Sequence, residues 1–241
     1  MADEKDNKKK ETIDYEADAG MGLEELGTED FQIPFLNLLQ STSDELKRGH
    51  EKYNTNARQG MLLSTQSGIC YDEVHIIPIR MNSRNVEWKP REIGGGLVAK
   101  YTLATTPKDI HTDADGNIAR ANGNVIVPTY QYLCRLGEED WNKVILLLHR
   151  SQRTPAQKWN TFMQAKRQAS FANVYKASVS SKSNNKGSWY IWKFEWVTQQ
   201  SDLQLYNACK EDYHTMIDFL PDRLLTYEEN GGNGNSNGEV L

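Results

Sequence analysis

The sequence predicts a mainly β chain with two or three helices, folded as an α+β antiparallel barrel between flexible tails. Short runs rich in β-branched and aromatic residues, bounded by Gly, Asn and Asp, follow one another between residues 61 and 197. Two segments with helical spacing of apolar residues accompany them, one after residue 154 and one after residue 201. We therefore expect a small antiparallel sheet on which helices pack.

The two ends of the chain differ from the middle in composition. Residues 1–30 hold eleven acidic and four basic side chains, with almost nothing apolar before Leu23. Such a segment cannot bury enough apolar surface to fold, so we expect residues 1–22 to be a disordered acidic arm. Residues 228–241 carry a Gly/Asn tract and are predicted to be a flexible tail. The folded domain is then residues 23–227.

The elements of this domain follow from local signals. The apolar patch at residues 33–39 contains Pro34, which limits a helix, so we expect a short docking helix or turn. Strands are predicted at 61–65, 74–80, 86–91, 97–102, 125–136 and 143–149. Asp113 to Asn117 and Asn122-Gly123 predict a loop or small hairpin before the strand at 125–136.

The second half of the domain alternates helix and strand. Thr154 as an N-cap, followed by Pro155 and Gln157, predicts a helix that ends near Ser170. Strands at 171–180 and 189–197 flank a polar loop, and an amphipathic helix runs from Ser201 to Pro221. Strands, a helix, two strands and a helix is the element order of a barrel like the oligonucleotide/oligosaccharide-binding (OB) fold.

Charge is distributed unevenly along this domain. Residues 141–194 contain ten Lys and Arg and no Asp or Glu, whereas the whole chain is −5 and the remainder is therefore −15. The segment ends in an aromatic strand at 189–196. Cations that neutralise phosphates beside rings that stack on bases are what a nucleic-acid strand requires. The alternative is that the cations simply lie on a solvated face and the aromatic residues pack in the core.

Two places are the candidate contacts. Alternation in the last strand assigns Tyr190, Trp192, Phe194 and Trp196 to the core and leaves Trp189 beside Lys193 as the stacking candidate, unless Trp189 packs under the loop. A basic and aromatic strand end also precedes Gly94 to Gly96, which fits either close approach to a phosphate or a plain turn. The predicted nucleic-acid contacts are Trp88, Lys89, Arg91, Arg150, Arg153, Lys158, Lys166, Arg167, Lys176, Lys182, Lys186, Trp189 and Lys193.

The sequence contains no motif for metal binding or catalysis. The three cysteines are scattered, no CxxC or HxxxH pair occurs, and the Asp113 loop lacks the Gly and Glu of a calcium site. No spacing singles out an acid, base or nucleophile. We expect no metal, no cofactor and no enzymatic activity. Because no apolar run is long enough for a membrane span or a signal region, we expect a soluble cytoplasmic protein.

Several short motifs resemble those of a set of tailed-bacteriophage proteins. They are Ile33-Pro-Phe-Leu36 after an acidic arm, Glu87-Trp-Lys-Pro90 running into Gly94-Gly-Gly-Leu-Val98, Trp159-Asn160, and Lys186-Gly-Ser-Trp-Tyr190. These proteins are similar in organisation to phage single-stranded-DNA-binding proteins. The resemblance implies an OB-like barrel that coats single strands in replication and recombination, in the host cytoplasm. The residues Gly238-Glu-Val-Leu241 depart from the strongly acidic C-terminal tail that is common in such proteins.

The functional prediction is a non-enzymatic protein that coats single-stranded DNA, with RNA as an alternative ligand and replication or recombination proteins as further partners. The second hypothesis is a phage adaptor or inhibitor that binds a host protein through the acidic arm. An enzyme such as a nuclease is the third. Oligomeric state and binding-site size are not specified by composition.

Overall fold

The computed structural model describes residues 21–22, 33–90, 94–113, 117–137, 141–185, 187–217 and 219. The chain divides into residues 1–32 and residues 33–241, and of the first unit only Met21 and Gly22, which lie in a turn, are described. The rest of the predicted acidic arm and the whole predicted tail therefore lie outside the described residues. The described elements are β1 Leu36–Leu38, β2 Leu62–Ser64, β3 Cys70–Tyr71, β4 Glu73–Trp88, β5 Leu97–Tyr101, β6 Ile110–Thr112, β7 Ile118–Arg120, β8 Val125–Leu136, β9 Lys143–His149, α1 Arg153–Ala165, β10 Asn173–Asn184, β11 Gly187–Gln199 and α2 Leu203–Thr215.

The main sheet is antiparallel and curls into a half-barrel. Its order is β11-β10-β4-β8-β7-β6, with β5 also pairing with β4 and β9 with β8. A smaller sheet, β1-β2-β3, joins it through a parallel bridge between Phe35 and Ile145. The predicted fold class is confirmed: the chain is mainly β, carries two α-helices in the part described, and is consistent with an OB-like α+β fold.

Strand β4 organises the sheet because it pairs with three other strands. Its first residues pair with β10 and its last residues with β5, while β8 runs along the other edge from Ile76 to Trp88. The prediction of two strands, 74–80 and 86–91, was wrong at this point. Residues 81–85 are polar, yet the continuous ladder with β8 holds them in one strand, with a register shift after Pro78.

Helices cover the two faces of the sheet. On one, the α1 face, Tyr132 and Leu136 of β8 join a buried cluster with Trp159 of α1. On the other, the α2 face, Leu133 joins a cluster with Cys209 of α2. Since successive residues of a strand point to opposite sides, β8 is buried on both of its faces.

Two glutamine side chains close the edge of β11. The Tyr190 backbone N–H donates to Oε1 of Gln40 at 3.0 Å, and its carbonyl accepts from Nε2 of Gln40 at 2.8 Å and from Nε2 of Gln152 at 2.9 Å. The Trp192 N–H donates to Oε1 of Gln152 at 3.0 Å. These amides satisfy backbone groups that a neighbouring strand would otherwise pair, so this part of the edge is protected.

Other differences from prediction concern the type of one element and the ends of the two helices. Residues 36–38 form β1, not a helix or turn, because they pair with β2. Helix α1 begins at Arg153 with Gln152 before it, so Thr154 is not the N-cap. It ends at Ala165, and Arg167 adopts a left-handed φ of 51°. Helix α2 ends at Thr215, well before Pro221.

Candidate nucleic-acid interface

The hairpin β10–β11 has two faces with different chemistry. Residues of one face, the outer face, include Lys176 opposite Glu195 and Lys193 opposite Ser178. Lys176 Nζ lies 3.2 Å from Glu73 and 3.7 Å from Glu195, and Lys193 Nζ lies 3.0 Å from Glu195. Two of the predicted nucleic-acid contacts therefore have carboxylate partners, and the outer face is less positive than the sequence window implied.

The exposed side of α1 carries a different arrangement. Lys158, Phe162 and Lys166 recur every four residues and so lie on one stripe of the helix, here called the α1 stripe. Arg167 follows it and is exposed. Within the described residues no carboxylate oxygen lies within 4 Å of Lys158, Lys166 or Arg167, in contrast to Lys176 and Lys193 of the outer face.

Trp196 lies beside this stripe and is 42% exposed. The prediction that all four alternating aromatics of β11 enter the core was wrong for this residue. Trp192 is buried and Phe194 stacks on Trp159 at 3.9 Å between ring centroids, but α1 ends before it can cover Trp196. The register shift that separates Trp196 from Thr198 also bends the end of the strand.

Lys166 connects the helix to this tryptophan. Its Nζ lies 3.9 Å from the centroid of the Trp196 ring and 5.2 Å from that of Phe162, which is also 42% exposed. The structure thus brings a predicted cation to two aromatic residues that were not among the predicted contacts. The repeat of cation, aromatic and cation at four-residue spacing is the signal in the sequence from which Phe162 could have been found.

The predicted stacking residue Trp189 is half-buried on the outer face, directly opposite the exposed Lys182. The two side chains therefore form a cross-strand pair near the tip of the hairpin. Two other predicted contacts, Lys186 and Arg91, lie outside the described residues.

Two predicted arginines flank the start of α1. Arg150 is exposed in a 3-10 turn with a left-handed φ of 50°, and Arg153 is half-buried with its guanidinium 6.0 Å from the Tyr130 ring centroid. Burial, together with the nearby Arg150 charge, lowers the pKa of His149 to about 4. His149 is therefore neutral at physiological pH and adds no charge to this surface.

Trp88 and Lys89 lie at the far end of β4. Trp88 is twelve residues beyond Ile76, the last position paired with β10, and this corresponds to roughly 40 Å of extended strand. Trp88 packs against the cluster of the α2 face, and Lys89 is exposed. The structure therefore does not bring this pair together with the α1 stripe.

The glycines after this strand make a turn. Gly94, Gly95 and Gly96 have φ of 106°, 63° and 109°, a run that residues with a Cβ rarely adopt. The Lys89 N–H donates to the Gly96 carbonyl at 2.9 Å, and the Gly95 N–H to the Pro90 carbonyl at 2.9 Å. The alternative of a plain turn between β4 and β5 thus accounts for all three glycines.

Glu87 has a structural role in the motif Glu87-Trp-Lys-Pro90. Its fully buried carboxylate accepts hydrogen bonds from Tyr101 at 2.6 Å, from Asn124 at 2.5 Å, and from Nη1 of Arg120 at 3.1 and 3.2 Å. Burial by itself would raise the pKa of Glu87, but the donors outweigh it and hold the pKa below its usual value. Arg120 continues the network by donating to Asp109.

Replacing Glu87 with Gln should destabilise the protein in a pH-dependent manner. Because the folded-state pKa is lowered, the charged carboxylate stabilises the fold above about pH 4.5, and this contribution is lost as pH falls through the folded-state pKa. The difference in melting temperature between wild type and Glu87→Gln should therefore be large at pH 7 and shrink towards pH 3. Asp109→Asn, which alters the exposed end of the network, should have a smaller effect at pH 7. Equal differences at both pH values would contradict this assignment.

The described residues contain no group of three or more His, Cys, Asp or Glu placed to hold a metal ion, and all three cysteines are free. No described helix combines the length and apolar character that crossing a membrane requires.

The comparisons with known proteins bear on the origin of the chain. Neither the curated proteins nor the solved structures include a match. A family model described as Pam3 phage gp34-like protein matches residues 3–218, which is most of the chain and all but the end of the described part. The match confirms that the motifs are those of a bacteriophage protein family. The chain belongs to the Pam3 phage gp34-like protein family.

Proposed function

We propose that the protein binds and coats single-stranded DNA in phage replication and recombination, through the α1 stripe and Arg167. The observation that carries the proposal is a difference in ion pairing between the cations at α1 and two lysines of the outer face. Lys176 and Lys193 have carboxylate partners within 4 Å, whereas Lys158, Lys166 and Arg167 have none among the residues described. Unpaired cations are the ones that gain most by pairing with phosphates.

The spacing of these cations suits an extended ligand. Lys158 and Lys166 are separated by two helical turns, about 12 Å along the axis. Phe162 lies between them. A strand that follows the stripe would meet charge, ring and charge in turn, without any need for sequence-specific hydrogen bonds.

The proposal is tested by the salt dependence of oligo-dT binding. Each phosphate contact in a single strand contributes about −0.7 to the slope of log K against log salt. The variant Lys158→Gln/Arg167→Gln should therefore weaken binding and reduce the magnitude of the slope by about 1.4. Filter binding or fluorescence anisotropy at four or more salt concentrations measures both quantities.

The matched control is Lys176→Gln/Lys193→Gln, which also removes two positive charges. Because both lysines already pair with Glu73 and Glu195, we expect a slope close to that of wild type. Absence of wild-type binding at low salt would overturn the proposal, as would an equal loss in the control. A host-protein complex that survives nuclease treatment, with no oligonucleotide binding, would favour the adaptor hypothesis instead.

A further inference from the structure

We propose that Trp196 and Phe162 form a stacking site for an unpaired nucleobase, and that Lys166 transfers from the Trp196 ring to a phosphate when the base binds. The inference rests on the proposed function, since it assigns the base-contacting residues of that surface. It differs from the sequence prediction, which placed the stacking residue at Trp189 on the other face of the same strand.

Exposure separates Trp196 from the other aromatics of β11. Trp192 is 4% exposed and Phe194 is covered by Trp159, whereas Trp196 and Phe162 are each 42% exposed. Isolated apolar residues on a surface are common, but two exposed rings that share one lysine at the end of α1 form an aromatic patch.

The Trp196 ring is held in place before any ligand arrives. Its indole N–H donates to Oδ1 of Asn173 at 3.0 Å, and Nδ2 of Asn173 contacts Oε1 of Gln168 at 3.3 Å. Asn173 is itself buried. A ring whose edge is fixed by a buried hydrogen-bond partner loses little conformational freedom when a base stacks on its face, which favours binding.

Lys166 occupies the position that a base would take. Its Nζ at 3.9 Å from the Trp196 centroid covers the ring face, and the same ammonium lies 5.2 Å from the Phe162 centroid. A cation–π contact at an exposed site is weak and therefore displaceable. The displaced ammonium needs an anion, and the phosphate of the stacked nucleotide supplies one within reach of the same side chain.

The chemistry of the patch favours a nucleobase over an apolar protein surface. The rings are flanked by Lys158, Lys166 and Arg167, with no carboxylate within 4 Å in the described part of the chain. An apolar partner would have to bury these charges without compensation, which is unfavourable. A single strand presents flat rings and phosphates at alternating positions and so complements both parts of the patch.

The test compares two ligands and two proteins. Wild type and Trp196→Ala are titrated with oligo-dT and with an abasic oligonucleotide of the same length, which keeps the phosphates and lacks bases. Stacking on one base corresponds to about a 5- to 150-fold change in affinity, so Trp196→Ala should lose that factor for oligo-dT and bind the abasic strand as wild type does. Trp196→Phe, which keeps a ring, should recover much of the oligo-dT affinity. Lys166→Gln should reduce the magnitude of the salt slope by about 0.7 for oligo-dT, where the base displaces the ammonium to a phosphate, and leave the slope for the abasic strand unchanged.

Trp189→Ala is the matched control, because it removes a tryptophan from the opposite face of the same strand. It should change binding to neither ligand. If wild type binds oligo-dT while Trp196→Ala and Trp189→Ala both behave as wild type, the stacking site is wrong and the proposed function stands. If Trp196→Ala weakens both ligands equally, Trp196 acts structurally and the inference fails. If wild type binds neither ligand, the proposed function itself fails.

Discussion

Trp159→Ala should destabilise the protein by about 3–5 kcal/mol, the range for removing a buried tryptophan from a core. The indole is 2% exposed and anchors α1 to the sheet. Its ring centroid lies 3.9 Å from that of Phe194, 4.8 Å from that of Tyr132 and 5.7 Å from that of Tyr175. Removing it leaves three aromatic neighbours facing a cavity. Urea unfolding followed by far-ultraviolet circular dichroism measures the loss as a lower midpoint at similar slope.

Two variants on the same helix and site sharpen this prediction. Phe162→Ala removes an exposed ring and should change stability by about 0.5 kcal/mol or less. The Trp159 indole nitrogen is buried without a hydrogen-bond partner in the described structure, so Trp159→Phe sacrifices no bond and should cost much less than Trp159→Ala. If Trp159→Ala and Phe162→Ala proved equally mild, α1 would not be a core element, and the surface assigned to the α1 stripe would lose its support.

The sequence alone predicted the strands whose apolar pattern is local, without reference to the strands that pair with them. β8 and β9 have the predicted bounds, because each is a run rich in β-branched, aromatic and other apolar residues that can be read without any distant contact. β4 was not predicted as one strand, since residues 81–85 are polar and only their pairing with β8 keeps them extended. Residues 36–38 became a strand for the same reason, through pairing with β2. Long-range pairing overrides local preference in both cases.

The candidate site also has a part that the sequence predicted and a part that depends on long-range contacts. The concentration of cations in residues 141–194 was visible, but their pairing was not. Lys176 meets Glu73, about a hundred residues earlier in the chain, and Lys193 meets Glu195, one residue outside the acid-free window. Alternation assigned Trp196 to the core. It gave the correct face of the strand, but it does not predict where α1 ends. Which rings remain accessible depends on the length of the covering helix.

Asp212→Ala should be the most damaging single change on the α2 face, at about 3–5 kcal/mol, because it leaves Arg135, whose side chain is only 16% exposed, without its carboxylate partner. Asp212 is 7% exposed and accepts from Nε and Nη2 of Arg135 at 3.1 and 2.6 Å, and from Nζ of Lys143 at 3.2 Å. Arg135 also donates to the Trp141 carbonyl at 3.1 Å, so the carboxylate ties α2 to β8 and to the start of β9. Chemical unfolding gives the free-energy change, and limited proteolysis within α2 reports local release.

The control for Asp212→Ala lies at the start of the same helix. Asp202 is the N-cap of α2, where its carboxylate accepts from the backbone N–H groups of Gln204 at 2.8 Å and Leu205 at 3.0 Å. Loss of such a cap costs about 1 kcal/mol, so Asp202→Ala should be clearly milder. Replacing both members of the buried pair, as Arg135→Met/Asp212→Leu, should recover stability relative to Asp212→Ala, because no uncompensated charge is left. If Asp212→Ala were no worse than Asp202→Ala, the pair would contribute little.

Asp212→Ala also allows effects on stability to be distinguished from effects on binding. α2 packs on the face of the sheet opposite to α1, so Asp212→Ala alters neither the α1 stripe nor Trp196. At a temperature where Asp212→Ala remains folded, its affinity for oligo-dT should therefore equal that of wild type, while Lys158→Gln/Arg167→Gln should show the reverse, with near-normal stability and weaker binding. A loss of affinity in folded Asp212→Ala would place part of the binding surface on the α2 face.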